Sequence, residues 1–327
     1  MKPDPDRSIE TLIRLAGERE APSAAATQRA RVAAEESWRR MLDTAVRRPR
    51  WRMRLAYAAA LGLVAFAAWF WTQHQATPPA TVVARVAGLE GIVTLRQGDA
   101  DRVVTLEEDV LSGTTLSTDG GRVAAAYADA LSLRLDRHTR LRFDGHDHVT
   151  LLQGALYVDS GGLAAGPPLV ISTPAGEVRH VGTQFQVRVS GDETSIRVRE
   201  GRVALRRGDD GSRLVAAGDE LEVRGDAERW RHGLASFGEE WEWATSVATT
   251  IAIEARPLSE FLGWIAREHG WQIHYADDRL QQRMPDIRLH GSLDGLATDA
   301  MLERVSLVTG IPLLTNDGVL WVGGRAP

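Results

Sequence analysis

Residues 181–189 read VGTQFQVRV, and this stretch indicates the fold class of the region around it. Phe185, Val187 and Val189 alternate with polar residues, which is the period of a β-strand with one buried face. We expect these three apolar side chains to face a core, and Gly182 to occupy a backbone position that tolerates no side chain. Gln186 lies on the opposite face, where we expect its truncation to cost about 0.5 kcal/mol or less.

The same alternation recurs along residues 83–228. Leu131, Leu133 and Leu135 repeat it, and glycine-containing turns such as residues 119–121 (DGG) separate the runs. Short strands with frequent turns and one apolar face predict an antiparallel all-β domain.

A different pattern follows a tryptophan-rich connector at residues 229–244, which contains Trp230, Trp241 and Trp243. Helical and extended segments then alternate, so residues 245–327 predict a small α+β domain of order βαββαββ. The predicted strands are Thr249–Glu254, Trp271–Tyr275, Ile287–Leu289 and the hairpin pair Ile311–Leu314 and Val319–Val322; the predicted helices are Pro257–His269 and one with Ala297, Met301, Val305 and Val308 on its apolar face.

Upstream of the β domain lies an uncharged stretch, Leu55–Thr72, which reads LAYAAALGLVAFAAWFWT. As a helix it would extend roughly 27 Å, close to the ~30 Å thickness of a hydrocarbon core, so it predicts one transmembrane helix. Residues 1–54 carry thirteen Lys and Arg against eight Asp and Glu, although the whole chain has a net charge of −5. Five arginines precede the span: Arg47, Arg48, Arg50, Arg52 and Arg54. They predict a cytoplasmic N-terminus and a periplasmic C-terminus. A stalk at residues 73–82 is predicted to join the span to the periplasmic part. A nucleic-acid patch is the alternative for these arginines, but their position beside the span favours topology.

The cytoplasmic tail, residues 1–54, predicts two short amphipathic helices, the second of which carries Trp38, Met41 and Leu42 on its apolar face. Such helices bury little surface alone, so we expect a partner to contact these three residues. The alternative is that the helices lie on the membrane surface.

Several motifs together resemble those of the FecR-type transmembrane sensors, the ferric-citrate regulator family. They are VGTQFQV at 181–187, VREGRV at 198–203 and AGD at 217–219, and the residues that carry the match are Gly182, Thr183, Phe185, Val187, Glu200 and Gly201. The C-terminal domain resembles the short N-terminal domain of secretins and TonB-dependent transducers. The resemblance implies an inner-membrane signal transducer that relays a periplasmic, cell-surface signal to an extracytoplasmic-function sigma factor, as a sensor or anti-sigma regulator, in TonB-dependent iron or nutrient uptake.

The implied partners are therefore a sigma factor in the cytoplasm and the signalling domain of a TonB-dependent outer-membrane transporter in the periplasm. An intramembrane protease that cleaves near or within the span is a further implied partner, whereas nucleic acid is not. The alternative function is a membrane-anchored periplasmic binding or scaffold protein without a role in sigma-factor control.

Two motifs raise the question of catalysis. Residues 159–162 (DSGG) match the surroundings of a chymotrypsin-like serine, but no fitting histidine context precedes them. Residues 146–148 (HDH) contain metal-ligand types, but a turn at Asp144-Gly145 favours a solvated loop. The chain has no cysteine. We therefore expect no enzyme, no metal and no cofactor.

Overall fold

A computed structural model describes residues 23–46, 80–128, 131–161, 169–208 and 211–324. The chain divides into two units, Met1–Thr77 and Pro78–Pro327. In the first unit the structure describes one helix, α1 (Ala24–Val46), which begins after Ser23, whose carbonyl accepts hydrogen bonds from the amides of Ala26 and Thr27. It corresponds to the second predicted helix of the tail.

No helix among the described residues is long and apolar enough to cross a membrane. The predicted span Leu55–Thr72 and the first tail helix lie outside those residues.

The second unit begins with a β domain in which the structure describes fifteen strands, which confirms that this part of the chain is mostly β. Valine and leucine are the commonest apolar residues of the strands, and glycine-containing turns separate most of the strands. The strands are β1 (Val82–Glu90), β2 (Thr94–Gln97), β3 (Ala100–Val103), β4 (Asp109–Leu111), β5 (Thr115–Thr118), β6 (Arg122–Tyr127), β7 (Leu131–Leu135), β8 (Thr139–Phe143), β9 (His148–Asp159), β10 (Val170–Thr173), β11 (Gly176–Ser190), β12 (Glu193–Arg206), β13 (Ser212–Ala216), β14 (Glu220–Arg224) and β15 (Ala227–Arg231).

One pairing departs from the antiparallel prediction. The main path of the sheet runs β15-β14-β12-β11-β10-β9-β7-β6-β1-β4, and β10 pairs with β9 in parallel, Val170 beside His148. Ten residues, 160–169, separate these two strands along the chain, so they are not joined by the two-residue turn of an antiparallel hairpin. The other pairings among the described strands of this sheet are antiparallel.

The central strands β11 and β12 form the longest hairpin of the domain. Phe185, Val187 and Val189 are buried in one core with the inward side chains of the other strands, as their alternation predicts. The tryptophan-rich connector begins later than predicted, because Trp230 lies in the last strand, β15, and packs against this core.

A short helix, α2 (Glu239–Thr245), leads into the C-terminal α+β unit. The unit has a three-stranded sheet of order β16-β18-β17 and a core of its own. Its elements are α3 (Leu258–His269), β16 (Gln272–Tyr275), α4 (Asp278–Arg283), a 3-10 turn at Met284–Asp286, α5 (Thr298–Thr309), β17 (Leu313–Asn316) and β18 (Val319–Val322).

The βαββαββ order is wrong in two strands. Residues 249–254 and 287–289 form no strand; the only ladder contact there is a single bridge between Pro257 and Arg288. Pro257 has no N–H to donate, so a longer ladder cannot propagate through it. The hairpin prediction is confirmed, because Asp317 and Gly318 both have positive φ, as a two-residue type I′ turn requires.

The apolar face predicted for the last helix is only partly correct. Met301 and Val305 are buried in α5, but Ala297 precedes the helix and is exposed, and the side chain of Val308 is 71% exposed. Leu302 takes the place of Val308 in the core, because the buried face of α5 turns toward residues 301, 302 and 305.

Candidate functional site

The polar face of the central strands is covered by the C-terminal part of the chain. We call this contact the junction. Its β-domain side comprises Arg134, Tyr157, Asp159, Gln184, Gln186, Arg197, Arg199 and Glu200, and its other side comprises Trp241, Trp243, Arg267, Glu268 and Gly270. Its contacts are mainly polar, unlike those of the two cores that it separates.

Arg134 and Glu268 form its central ion pair. Both Nη atoms of Arg134, on β7, donate to the carboxylate of Glu268, at the end of α3, over 2.7 and 2.8 Å. Nη1 also donates to the carbonyl of Ala244 at 3.0 Å. The two side chains are 3% and 9% exposed, so this bidentate pair is almost completely removed from water.

A second pair lies beside it. Arg267 donates to Asp159 at 2.6 Å and to Glu200 at 2.5 Å, so one side chain of α3 connects the end of β9 to β12. The Gln184 amide donates to the other oxygen of Asp159 at 3.0 Å and to the carbonyl of Arg267 at 3.3 Å. Asp159 therefore accepts hydrogen bonds at both oxygens, from the C-terminal unit and from the β domain.

Aromatic side chains fill the space beside these charges. Tyr157 meets Trp241 and Trp243 edge-on, with ring centroids 6.0 and 6.4 Å apart. The Arg199 guanidinium lies 5.1 Å from the Trp241 ring and donates to the Glu268 carbonyl at 2.9 Å. Because α2 places both indoles between the strands and α3, it lies between the β domain and the C-terminal α+β unit.

Two observations show how closely the C-terminal part of the chain approaches the strands. The indole N–H of Trp243 donates to the side-chain oxygen of Gln186 at 3.1 Å. Gly270, with φ +68°, ends α3 in a left-handed conformation, and a Cβ there would lie 1.9 Å from the Ser236 carbonyl oxygen and 2.6 Å from Nε of Arg199. Only glycine fits at this point of the junction.

Electrostatic shifts at the junction all keep the paired groups charged. Burial works against the charged form of Arg134, but Glu268 outweighs it and raises the pKa of Arg134. Burial would raise the pKa of Asp159, yet Arg267, Gln184 and the Gly161 amide together hold that pKa below its ordinary value. Burial raises the pKa of Tyr157 to about 12, so its hydroxyl stays neutral.

The residues of the sequence resemblance occupy three places in the β domain. Gly182 and Gly201 both have positive φ, 58° and 80°, at a register shift between β11 and β12, and a Cβ on Gly201 would lie 2.4 Å from the Gly182 carbonyl. Phe185 and Val187 are in the core, and the Thr183 amide donates to Ser160 at 2.8 Å. Glu200 points outward to Arg267, so the motif connects the core to the junction.

The tail residues are placed only in part. Trp38 and Met41 are 69% and 65% exposed on α1, so each could contact a partner. Leu42 belongs to the same helix, but its side chain is outside the description, and the five arginines lie outside the described residues.

The two motifs considered for catalysis have structural roles. Asp159 belongs to the junction, and Ser160 binds the backbone of Thr183 on both sides, through its hydroxyl and its amide. His148 lies in a strand and shares a 2.8 Å hydrogen bond with Ser172. No group of three metal-ligating side chains occurs among the described residues.

The sequence analysis did not predict the junction. It placed Gln186 on an exposed face, where truncation should reduce the free energy of unfolding only slightly. Gln184 and Gln186 are instead 2% and 5% exposed, because the C-terminal part covers them. A signal was present in α3: Glu268 continues the apolar series Leu258, Phe261, Leu262 and Ile265, and a carboxylate in that position predicts a buried acid with a partner.

The fold and the junction define a class: a β domain, with no recognisable catalytic constellation among the residues that the structure describes, joined to a small α+β unit through buried charges. Residues 114–204 match the family model described as "FecR protein". The match includes Arg134, Asp159 and Glu200, and it therefore covers much of the β-domain side of the junction. It confirms the resemblance seen in the motifs.

Two solved structures of a "putative anti-sigma factor" from Parabacteroides distasonis ATCC 8503 align at 15% and 16% identity, with TM-scores of 0.34 and 0.35. Each alignment covers 65% of this chain and 99% of the other. At these TM-scores the likeness supports no argument about function. No curated protein sequence matches the chain significantly.

Proposed function

We propose that this protein is a member of the FecR family and a single-pass inner-membrane signal transducer that relays a periplasmic signal to an extracytoplasmic-function sigma factor. The family match and the junction support the proposal. The buried ion pairs hold the C-terminal unit in one orientation on the FecR domain, so a partner that binds the C-terminal unit would act on the whole periplasmic portion.

The cytoplasmic end of the proposal rests on α1. Trp38 and Met41 lie three residues apart on one side of the helix and are both mainly exposed. A large aromatic and a methionine on an exposed helix face are typical of a surface that another protein covers. The sigma factor is the proposed occupant, and the arginines from Arg47 to Arg54 would keep this tail in the cytoplasm.

The periplasmic end is the C-terminal unit, and its proposed partner is the signalling domain of a TonB-dependent outer-membrane transporter. Docking there would lead to cleavage near or within Leu55–Thr72 by an intramembrane protease, which would release residues 1–54 with any bound sigma factor. Immunoblots of an N-terminally tagged chain test this step. A chain that never shortens while the sigma regulon switches on would exclude cleavage.

Co-purification tests the proposal as a whole. We expect a sigma factor to be recovered with the full chain, and we expect Trp38→Ala with Met41→Ala to reduce that recovery roughly tenfold or more, as loss of two anchor side chains does. Arg40→Ala, in the same helix, is the matched control and should change recovery less than about threefold. If no sigma factor co-purifies, and the tail can be deleted without loss of function, the chain is a periplasmic scaffold instead.

A further inference from the structure

The outer side of α5 carries an apolar surface that the fold does not use. Leu307 and Val308 are 83% and 71% exposed, which are the largest values for any large apolar side chain in the described part of the chain. With Ala300 and Arg304 they form a stripe at i, i+4, i+7 and i+8, so all four lie on one side of the helix.

This stripe borders a groove rather than open, convex surface. A depression of about 290 Å³ lies between α5 and the loop at residues 289–293. Its walls are mostly apolar and come from Ile253, Leu289, Leu293, Val305, Leu307 and Val308. A groove of this volume and character accommodates one or two apolar side chains of a bound segment.

The charges at the groove indicate what accompanies those side chains. Arg304 lines the groove and forms no ion pair with the residues that the structure describes. Glu254, which lies beside the same loop, is already occupied, because its carboxylate contacts His290 at 2.9 Å and the Gly291 amide at 2.8 Å. The guanidinium of Arg304 is therefore available at the rim of the groove to pair with a carboxylate of a bound partner.

We infer that the groove beside α5, bounded by Arg304, Leu307 and Val308, binds a partner protein through a segment with apolar side chains and an adjacent carboxylate. The inference rests on the proposed function and deepens it, since it specifies where the transporter domain would dock on the C-terminal unit. The arginine-rich end of the chain's own tail is not a suitable occupant, because Arg47 to Arg54 would repel Arg304.

Site-specific photo-crosslinking in the full chain, in cells that express the transporter, tests this inference. A photo-reactive residue replaces Leu307, and the matched control replaces Leu214, a 57% exposed leucine of β13 in the other domain. We expect a heteromeric adduct with the transporter at position 307 and none at 214. Val308→Asp should reduce the adduct about tenfold and Arg304→Glu about threefold or more, whereas Arg304→Lys should retain most of it.

The outcomes separate this inference from the proposed function when a sigma-dependent reporter is measured in the same cells. A reporter that responds without any adduct at 307, or with an adduct indifferent to Arg304→Glu, overturns the groove and leaves the relay intact. An adduct of two copies of this chain would make the groove a self-interface and also overturn the inference. An adduct that requires Arg304 while the reporter stays silent supports the groove and counts against the relay.

Discussion

The central hairpin β11–β12 is buried on both faces, but by opposite means. One face places Phe185 and Val187 in the β-domain core, where contacts are apolar and come from the domain's own strands. The other face places Gln186 and Arg199 under α2 and α3, where contacts are hydrogen bonds, ion pairs and indoles. The apolar face stabilises the domain, whereas the polar face determines how a second unit is oriented on it.

The two faces differ in how strictly their contacts fix the geometry of the segments that cover them. Apolar packing is non-directional, so many arrangements of similar volume satisfy it. A buried charge is satisfied only by its partner in one geometry, and a displaced C-terminal unit would leave Arg134 and Glu268 without compensation. We therefore expect the junction to be either fully formed or fully open.

Truncation in the core should have the largest effect. Phe185→Ala removes a fully buried aromatic side chain, and we expect it to reduce the free energy of unfolding of the β domain by roughly 3–5 kcal/mol. Urea denaturation with hydrogen exchange at β11 measures this. Val103→Ala, at a 61% exposed position of β3, is the control and should change little. Equal losses in both variants would contradict the placement of Phe185 in the core.

Removal of one junction charge should cost nearly as much free energy, but it should weaken docking of the C-terminal unit and not the β domain. Glu268→Ala leaves Arg134 buried without its partner, and we expect a loss of about 3 kcal/mol in docking of the C-terminal unit. Exchange should rise at α2 and α3 while β11 stays protected. Glu260→Ala, in the same helix but in an exposed pair with Arg256, should cost about 0.5 kcal/mol or less.

A double replacement sharpens this result. Arg134→Met combined with Glu268→Met removes both charges together, so no unpaired charge remains, and docking should recover much of the loss. If the double variant is as defective as Glu268→Ala, the ion pair is not what holds the two units together.

A smaller loss is expected at Gln186. Gln186→Ala leaves the Trp243 indole N–H without its acceptor, which should cost about 1–2 kcal/mol of junction stability and not of β-domain stability. The measurement is exchange protection at α2. Gln97→Ala, on an exposed strand position, is the matched control and should have no effect beyond about 0.5 kcal/mol. This expectation replaces the one drawn from the sequence, which treated Gln186 as a surface residue.

The sequence predicts the features that depend on adjacent residues and not those that depend on residues far apart in the chain. Alternation along β11 predicts which side chains are in the core, and Asp317-Gly318 predicts a hairpin, because both depend on a few adjacent residues. The parallel pairing of β10 and the partnership of Arg134 with Glu268 depend on residues far apart in the chain, 134 positions in the latter case. A polar residue in a strand looks the same whether water or another domain covers it. Glu268 was therefore the only residue whose position in the sequence indicated the junction.

An effect of similar size at the junction depends on pH. Interactions with Arg267 and Gln184 hold the pKa of Asp159 below its ordinary value despite burial. Its charge therefore stabilises the junction above the ordinary aspartate pKa of about 3.9, and this contribution is lost as the pH falls through the lower, folded-state pKa. We expect exchange protection at Arg267 and its neighbours in α3 to weaken over that acidic range and to be independent of pH above about 5.

Asp159→Asn isolates this contribution, because it retains an acceptor oxygen but not the charge. At neutral pH it should weaken docking by roughly 1–2 kcal/mol, the range for a charge-assisted hydrogen bond. In acid the variant and the parent should converge, since the parent has then lost the same charge. Asp101→Asn is the control, because that carboxylate also pairs with an arginine but is exposed on β3. A difference between parent and Asp159→Asn that persists unchanged below the folded-state pKa would show that the asparagine disturbs packing and that charge is not what the junction uses there.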